Sequence, residues 1–329
     1  MIEKSDSKQL SFATTSILGQ APRLLLMSNY RIIFIIPLLL FSSAIWALNM
    51  EPRRWAHLPT DSNIFGIAIV HSNVDIAFDP VLQIEDGEAE VDTIMTSYLH
   101  SFDLLGKTAR LDLRVPYKKA EWTGLLDGYH RKVNREGLGD PLIRLSVNFL
   151  GAPALKGKDY LSYRASNKIN TVIGAAIGVV VPLGQYKKNK LLNLGHNRYI
   201  IRPQLGIVHS RGPWSYELTG TLNIFTDNDD FWGNNKREQD PLAAFQTHVI
   251  HTFKNRMWAS LSTGYDWGGE TKINGIKKDD KRENVFFAIS SGFPITRTSN
   301  INFSYVGGRT QKDIGNDGDH FIFSISNRF

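Results

Sequence analysis

The sequence predicts a transmembrane antiparallel β-barrel of about twelve strands, with long external loops and short periplasmic turns. Three observations carry that reading. Extended segments alternate apolar and polar residues with a period of two, the connections between them are alternately long and short, and the last segment ends on an aromatic residue at Phe329.

The first element is an export signal. From Ile32 to Ala47 the chain reads IIFIIPLLLFSSAIWA, preceded by Arg31 and interrupted by Pro37. That run is shorter than the roughly 20 residues a spanning helix needs. A basic flank, an apolar stretch and a small-residue exit have the layout of a secretory signal peptide. Residues 1–47 are therefore expected to be an N-terminal extension and signal, with Met27 as the real start and cleavage after Ala47 or Ala44. Residues 48–329 are expected to be the barrel. No second long apolar run follows, and mean hydropathy is −0.22 with 21% charged residues. This composition argues against a bundle of membrane helices and leaves room for a barrel, whose strands are apolar on one face. With no cysteine in the chain, a disulfide framework and thiolate chemistry are ruled out. The net charge of +6 is spread along the chain, and no nucleic-acid motif accompanies it.

Twelve extended segments follow, near 63–72, 90–102, 109–117, 137–149, 171–182, 198–209, 214–226, 242–253, 257–267, 284–292, 300–309 and 319–329. In the third, Leu111, Leu113, Val115 and Tyr117 oppose Arg110, Asp112 and Arg114. In the fourth, Ile143, Leu145, Val147 and Phe149 oppose Arg144, Ser146 and Asn148. The sixth sets Tyr199, Ile201, Leu205 and Ile207 against Arg198, Arg202 and Gln204. The seventh sets Trp214, Tyr216, Leu218, Leu222 and Ile224 against Ser215, Glu217, Thr219, Thr221 and Asn223. Aromatics cluster near strand ends, where amphipathic rings suit a lipid–water boundary.

Odd-numbered links are long and polar, around 73–89, 118–136, 183–197, 227–241 and 268–283, with a shorter one at 310–318. Even-numbered links such as Ser210–Pro213 and Lys254–Arg256 are tight. An even strand count puts both ends of the barrel on the short-turn side. The exception is 150–170, which is long for a periplasmic link and is expected to hold a short helix around Lys158–Ala165 or to cover the lower mouth. The last strand should pair with the first, and Phe321, Phe323, Ile325 and Phe329 on its apolar face are the expected signal to the outer-membrane assembly machinery. Asn327 interrupts that face.

Several motifs together resemble a known family. They are Arg53–Asn63, Asp75–Pro80, Ile84-Glu85-Asp86, Ser101–Asp112, Val115-Pro116-Tyr117, Gly139–Asn148, Leu150–Leu155, Val181-Pro182-Leu183-Gly184-Gln185-Tyr186 and Phe225–Phe231. In this order they resemble the family of the MetA pathway of phenol degradation, across essentially the whole mature chain. The resemblance implies an exported outer-membrane barrel, and a transporter of small aromatic or other hydrophobic molecules.

The inward face is expected to be rich in charge. Arg110, Asp112, Arg114, Arg144, Arg198, Arg202, Glu217 and Asp266 are the lumen-lining candidates. An excess of arginine favours anions through charge-assisted contacts to carboxylate or phosphate. The same residues could instead pair with one another and plug the interior. The acidic clusters Asp75, Asp79, Glu85, Asp86, Glu88, Glu90 and Asp227, Asp229, Asp230 lack the spacing of a dedicated calcium loop and read as solvated loops. His71-Ser72-Asn73 invites comparison with outer-membrane phospholipases. However, adjacent strand residues point to opposite faces, as do His248 and His251, so no catalytic or metal pair is expected. The chain thus reads as a non-enzymatic channel without cofactor or metal, working among outer-membrane lipid and lipopolysaccharide on a small-molecule solute. A structural or adhesive barrel with a plugged lumen is the alternative, and a phospholipase a further one.

Overall fold

The computed structural model describes residues 50–77, 84–126 and 128–329. The expected signal peptide, its cleavage site and Met27 lie outside the described residues, as does Asp79. The elements in chain order are β1 (Asn63–Ala77), β2 (Ile84–Leu104), β3 (Lys107–Leu126), β4 (Tyr129–Leu138), β5 (Leu142–Pro153), α1 (Gly157–Ser166), β6 (Ile169–Val180), β7 (Ile200–Arg211), β8 (Trp214–Phe225), β9 (Asn228–Phe231), β10 (Asn235–Gln239), β11 (Leu242–Thr252), β12 (Trp258–Gly268), β13 (Thr271–Ile273), β14 (Ile276–Lys277), β15 (Arg282–Pro294), β16 (Ser299–Thr310) and β17 (Gly315–Arg328).

Twelve of the seventeen strands, all but β4, β9, β10, β13 and β14, form one antiparallel wall. The wall closes on itself because β17 pairs with β1 from Ile64↔Arg328 to Ala77↔Gly315 and β2 pairs with β3. Closure leaves no wall strand with an unpaired edge, as hydrocarbon surroundings demand. The two ends of the wall meet at the short-turn rim, where Asn63 and Phe329 exchange backbone hydrogen bonds of 3.1 and 2.9 Å. At that rim Leu105 and Gly106 both adopt positive φ, at 52° and 76°. These values make the two-residue turn joining β2 to β3 of the primed type that matches strand twist.

The two faces invert the pattern of a soluble sandwich. Phe65, Ile67, Ile69, Leu111, Leu113, Leu205, Leu218, Val249, Phe321, Phe323 and Ile325 are exposed outside. Ser72, Thr93, Asp112, Arg144, Gln204, Glu217, Asn223, His248, Asp266 and His320 are buried inside. A barrel that meets lipid outside and a polar lumen inside gives this arrangement. Asn327, which interrupts the outer face of β17, accepts a hydrogen bond from Ser299 Oγ at 3.0 Å.

The external segments are more ordered than their polarity suggests. β1 and β2 continue as a hairpin to Ile76↔Gly87, and β3 and β4 form a second one. The 227–241 and 268–283 segments combine into a separate four-stranded sheet, β14-β13-β10-β9. On the periplasmic side, 150–170 does hold the expected helix. Neither a wall strand nor buried itself, α1 braces the segment ahead of β1. Tyr160 Oη donates to His57 O at 2.9 Å, and the rings of Tyr160 and Tyr163 stand edge-on to His57 at 4.9 and 5.4 Å.

That N-terminal segment enters the barrel instead of hanging from its rim. Trp55 is buried against Val172, Ala176 and Val208, its Nε1 donates to Thr219 Oγ1 at 2.8 Å, and it lies flush on two wall glycines. A Cβ on Gly206 would come within 1.8 Å of Trp55 Nε1, and one on Gly174 within 2.6 Å of its ring. Gly206→Val should therefore expel the segment. Limited trypsin digestion of the folded barrel is expected to cleave at Arg53 or Arg54 in the variant and to spare both in the parent.

Candidate functional site: the charged lumen

The mid-lumen is organised by one carboxylate that arrives on the N-terminal segment. Glu51 receives Arg114 Nη1 at 2.7 Å on Oε1. It also receives Arg144 through both terminal nitrogens, at 3.2 Å on Oε1 and 2.9 Å on Oε2. The bidentate fork on the second arginine is the strong geometry for a guanidinium and a carboxylate. Arg144 also reaches Asp112 Oδ2 at 3.4 Å, and Arg110 stands 3.3 Å from the same oxygen. Arg54 completes the layer: its backbone N–H donates to Glu217 Oε2 at 3.2 Å and its Nη2 to Ser146 Oγ at 2.6 Å.

Strand register explains why these residues meet. Asp112 on β3 is opposite Arg144 on β5, and both occupy the inward set fixed by the apolar outer residues. Arg114 and Arg110 stand two residues to either side of Asp112 on the same face. Burial pushes the Glu51 carboxyl up, but Arg114 and Arg144 outweigh it and hold the group well below the usual carboxylate range. Removing one partner of a buried ion pair costs about 3–5 kcal/mol, so this contact holds the segment in the lumen.

The remaining candidates lie higher or to the side. Arg202 on β7 is buried and within electrostatic range of Arg144 and Glu51. Asp266 on β12 accepts Asn284 Nδ2 at 2.8 Å. Arg198 lies at the external end of β7, donating through Nη2 to Gln239 Oε1. Seven of the eight candidates lie on the inward set of wall strands, Arg198 stands just ahead of β7, and together they separate into a paired middle layer and an upper region. Sequence reasoning missed Glu51 and Arg54, which precede the first strand, and Arg237 and Arg282, at or beyond the ends of the expected wall strands. A pair of inward glycines on neighbouring strands, Gly174 and Gly206, was the available sign that something bulky fills that level.

The rim is closed by a second carboxylate. Asp140, between β4 and β5, accepts Gly184 N–H at 2.8 Å and both the backbone N–H and ring Nδ1 of His196 at 2.7 Å. A Cβ on Gly184 or Gly195 would collide with Asp140, which accounts for the Gly139-Asp140-Pro141 and Val181–Tyr186 motifs as one clasp. On the short-turn side, a cavity of ≈ 400 Å³ lies between α1 and the wall, lined by Arg53, Arg164, Lys168 and Glu217 among others.

The other chemistry-bearing residues separate as their spacing implied. His71 faces outward, 2.8 Å from Asp92, while Ser72 faces inward and meets His320 Nδ1 at 2.9 Å. His248 is inward, bonded to Ser262, and His251 is outward against Trp214. Among the described residues, His71, Glu90 and Asp92 are grouped with ligand atoms within 4.8 Å, but on the outer surface and away from the lumen. In the acidic loop cluster, Asp227 pairs with Lys236 at 2.7 Å.

A closed twelve-stranded wall with an apolar exterior and a charged, buried interior defines the protein as an outer-membrane β-barrel. The chain belongs to the family described as "Putative MetA-pathway of phenol degradation", whose model matches residues 72–313. Among solved structures it is similar to the COG4313 outer membrane channel from Pseudomonas putida F1, at 21% identity over 85% of this chain and 99% of that one, with a TM-score of 0.72. A lower similarity links it to the β domain of the Bordetella autotransporter BrkA, at 9% identity over 82% and 100% of the two chains and a TM-score of 0.43. No curated protein matches the chain.

Because the Glu51 carboxyl is depressed relative to the unfolded chain, its contribution is present above the ordinary carboxylate range and is lost only as pH falls through the lowered value. The heat resistance of the folded barrel in detergent should therefore show no Glu51-dependent step between about pH 8 and 5. A step in that window that disappears in Glu51→Gln would contradict this assignment.

Proposed function

We propose that the protein is a passive outer-membrane channel for small organic anions, aromatic carboxylates included. The observation that carries this reading is the column of inward arginines. It runs from Arg198 at the external end through Arg202 to Arg144, Arg114 and Arg110. Fixed guanidiniums in a narrow, low-dielectric passage lower the barrier for anions and raise it for cations. The family's printed association with phenol degradation supports an aromatic solute, and a carboxylate would reconcile the aromatic with the anionic. The barrel has no need of a cofactor for such work.

The docked N-terminal segment makes the resting lumen narrow, and it supports a second reading, a structural barrel whose plug is permanent. The two differ in what happens when the plug is loosened. Glu51→Gln removes the charge from the arginine clamp. A loss of about 3–5 kcal/mol moves the docked-to-undocked ratio by about two to four powers of ten. Single-channel recordings should then show a markedly larger or more frequently open state, and Arg202→Glu should weaken or reverse anion preference. The channel reading fails if benzoate, acetate and glycerol all enter reconstituted vesicles no faster with the protein than without it, and Glu51→Gln leaves that unchanged.

A further inference from the structure

The external mouth contains guanidinium groups that the chain itself leaves unmatched. Arg198 is 3% exposed and Arg237, on β10, 7% exposed. Nε and Nη1 of Arg198, and Nε of Arg237, have no hydrogen-bond partner. Arg237 and Arg282 lie within electrostatic range of Arg198. Each of the first two guanidiniums is held over an aromatic face, Arg198 at 4.6 Å from the Phe225 ring and Arg237 at 5.7 Å from the Phe231 ring. Gln239 turns its oxygen to Arg198 because its Nε2 is committed to Gly269 O at 2.8 Å.

Asp227 and Asp280, the carboxylates that act on Arg198 and Arg237, are engaged elsewhere, while Asp266 stands near Arg282. Asp227 pairs with Lys236 at 2.7 Å. Asp280 accepts both the backbone N–H and the hydroxyl of Thr271, each at 2.8 Å. Among the described residues, no carboxylate lies within ion-pair distance of Arg198 or Arg237. Buried, uncompensated guanidiniums are strongly unfavourable, and a bound oxyanion is what relieves them. The molecule supplies its own comparison one level down, where Arg114 and Arg144 take the carboxylate of Glu51.

We infer that Arg198 and Arg237, with Arg282 beside them, form a binding site for a solute carboxylate at the external mouth. It would be the first station on the path to the Glu51 clamp. This inference rests on the anion-channel reading for its role, but the site itself is testable without transport.

The test is calorimetric titration of the folded full-length barrel in detergent with benzoate, and with benzyl alcohol as the uncharged match. Benzoate should give saturable heat and benzyl alcohol none. Arg198→Gln and Arg237→Gln should each weaken benzoate by at least about tenfold, the loss expected when a hydrogen bond to a charged group goes. Gln239→Glu is nearly isosteric but gives up the Nε2 hydrogen bond to Gly269 O, so its folding is checked first by the heat-dependent gel mobility of the barrel. It places a carboxylate on Arg198 from within and should abolish benzoate binding. Saturable benzoate heat that is unchanged in Gln239→Glu, or equal heats for the acid and the alcohol, overturns the site, as does the absence of saturable heat in the parent. If the parent binds no benzoate yet carries it into vesicles, the mouth site is lost and the channel stands. If it binds benzoate but carries none, the site stands and the channel is lost.

Discussion

Every wall strand of this protein depends on the pairing of β17 with β1. In hydrocarbon an unpaired backbone N–H or carbonyl has no water to turn to, so a wall with a free edge cannot persist there. Closure then dictates the rest. Twelve strands enclose more space than side chains of an eight-stranded barrel would fill, and less than a wide porin channel. The alternation imposed by the pleat sends Leu111 and Leu113 to the outer face and Arg110, Asp112 and Arg114 to the interior. The charge of the lumen is thus a direct consequence of the register that satisfies the backbone.

A lumen of that width lined by buried charge must be either hydrated or matched, and here the matching is supplied by chain outside the wall. Glu51 answers Arg114 and Arg144, the Arg54 guanidinium answers Asp112 and Ser146 while its backbone N–H meets Glu217, and Trp55 fills the level where Gly174 and Gly206 leave space. The segment is thereby a counter-ion as much as a stopper. Its hold on the barrel is electrostatic in the middle and steric below. A solute with its own carboxylate offers Arg114 and Arg144 the same chemistry that holds the plug in place.

The wall was legible from residue order because period-two alternation and turn spacing are local properties. All twelve wall strands lie where the extended segments do, although the first, second and eighth of these alternate poorly, and the helix in 150–170 falls on the expected residues. The plug was not legible. Arg53-Arg54-Trp55 could be seen as a motif, but nothing local says that a segment before the first strand turns inward. That depends on glycines more than a hundred residues away. The external sheet escaped for the same reason: β10 pairs with β13 across the intervening β11 and β12, so its strands looked like separate loops. Arg237 therefore could not be placed beside Arg198 from sequence, although both residues were in plain view. Asp140 was visible within its motif, yet its role as the acceptor for Gly184 and His196 required knowing that the 183–197 segment folds back over it.

The distribution of charge along the lumen bears on direction. In the middle layer each arginine faces a carboxylate of the chain: Arg144 has Glu51 and Asp112, Arg114 has Glu51, and Arg110 has Asp112. At the external end Arg198 has a neutral amide and Arg237 a phenyl face. The electrostatic attraction for an incoming anion is therefore strongest where the chain provides least compensation, at the mouth. On the proposed anion-channel reading, an anion further in would meet guanidiniums already satisfied and would advance by exchange with Glu51, trading one carboxylate for another of the same geometry. Exchange of like for like lets a narrow passage bind its solute without holding it, because neither carboxylate needs to leave its arginines unpaired while the other arrives.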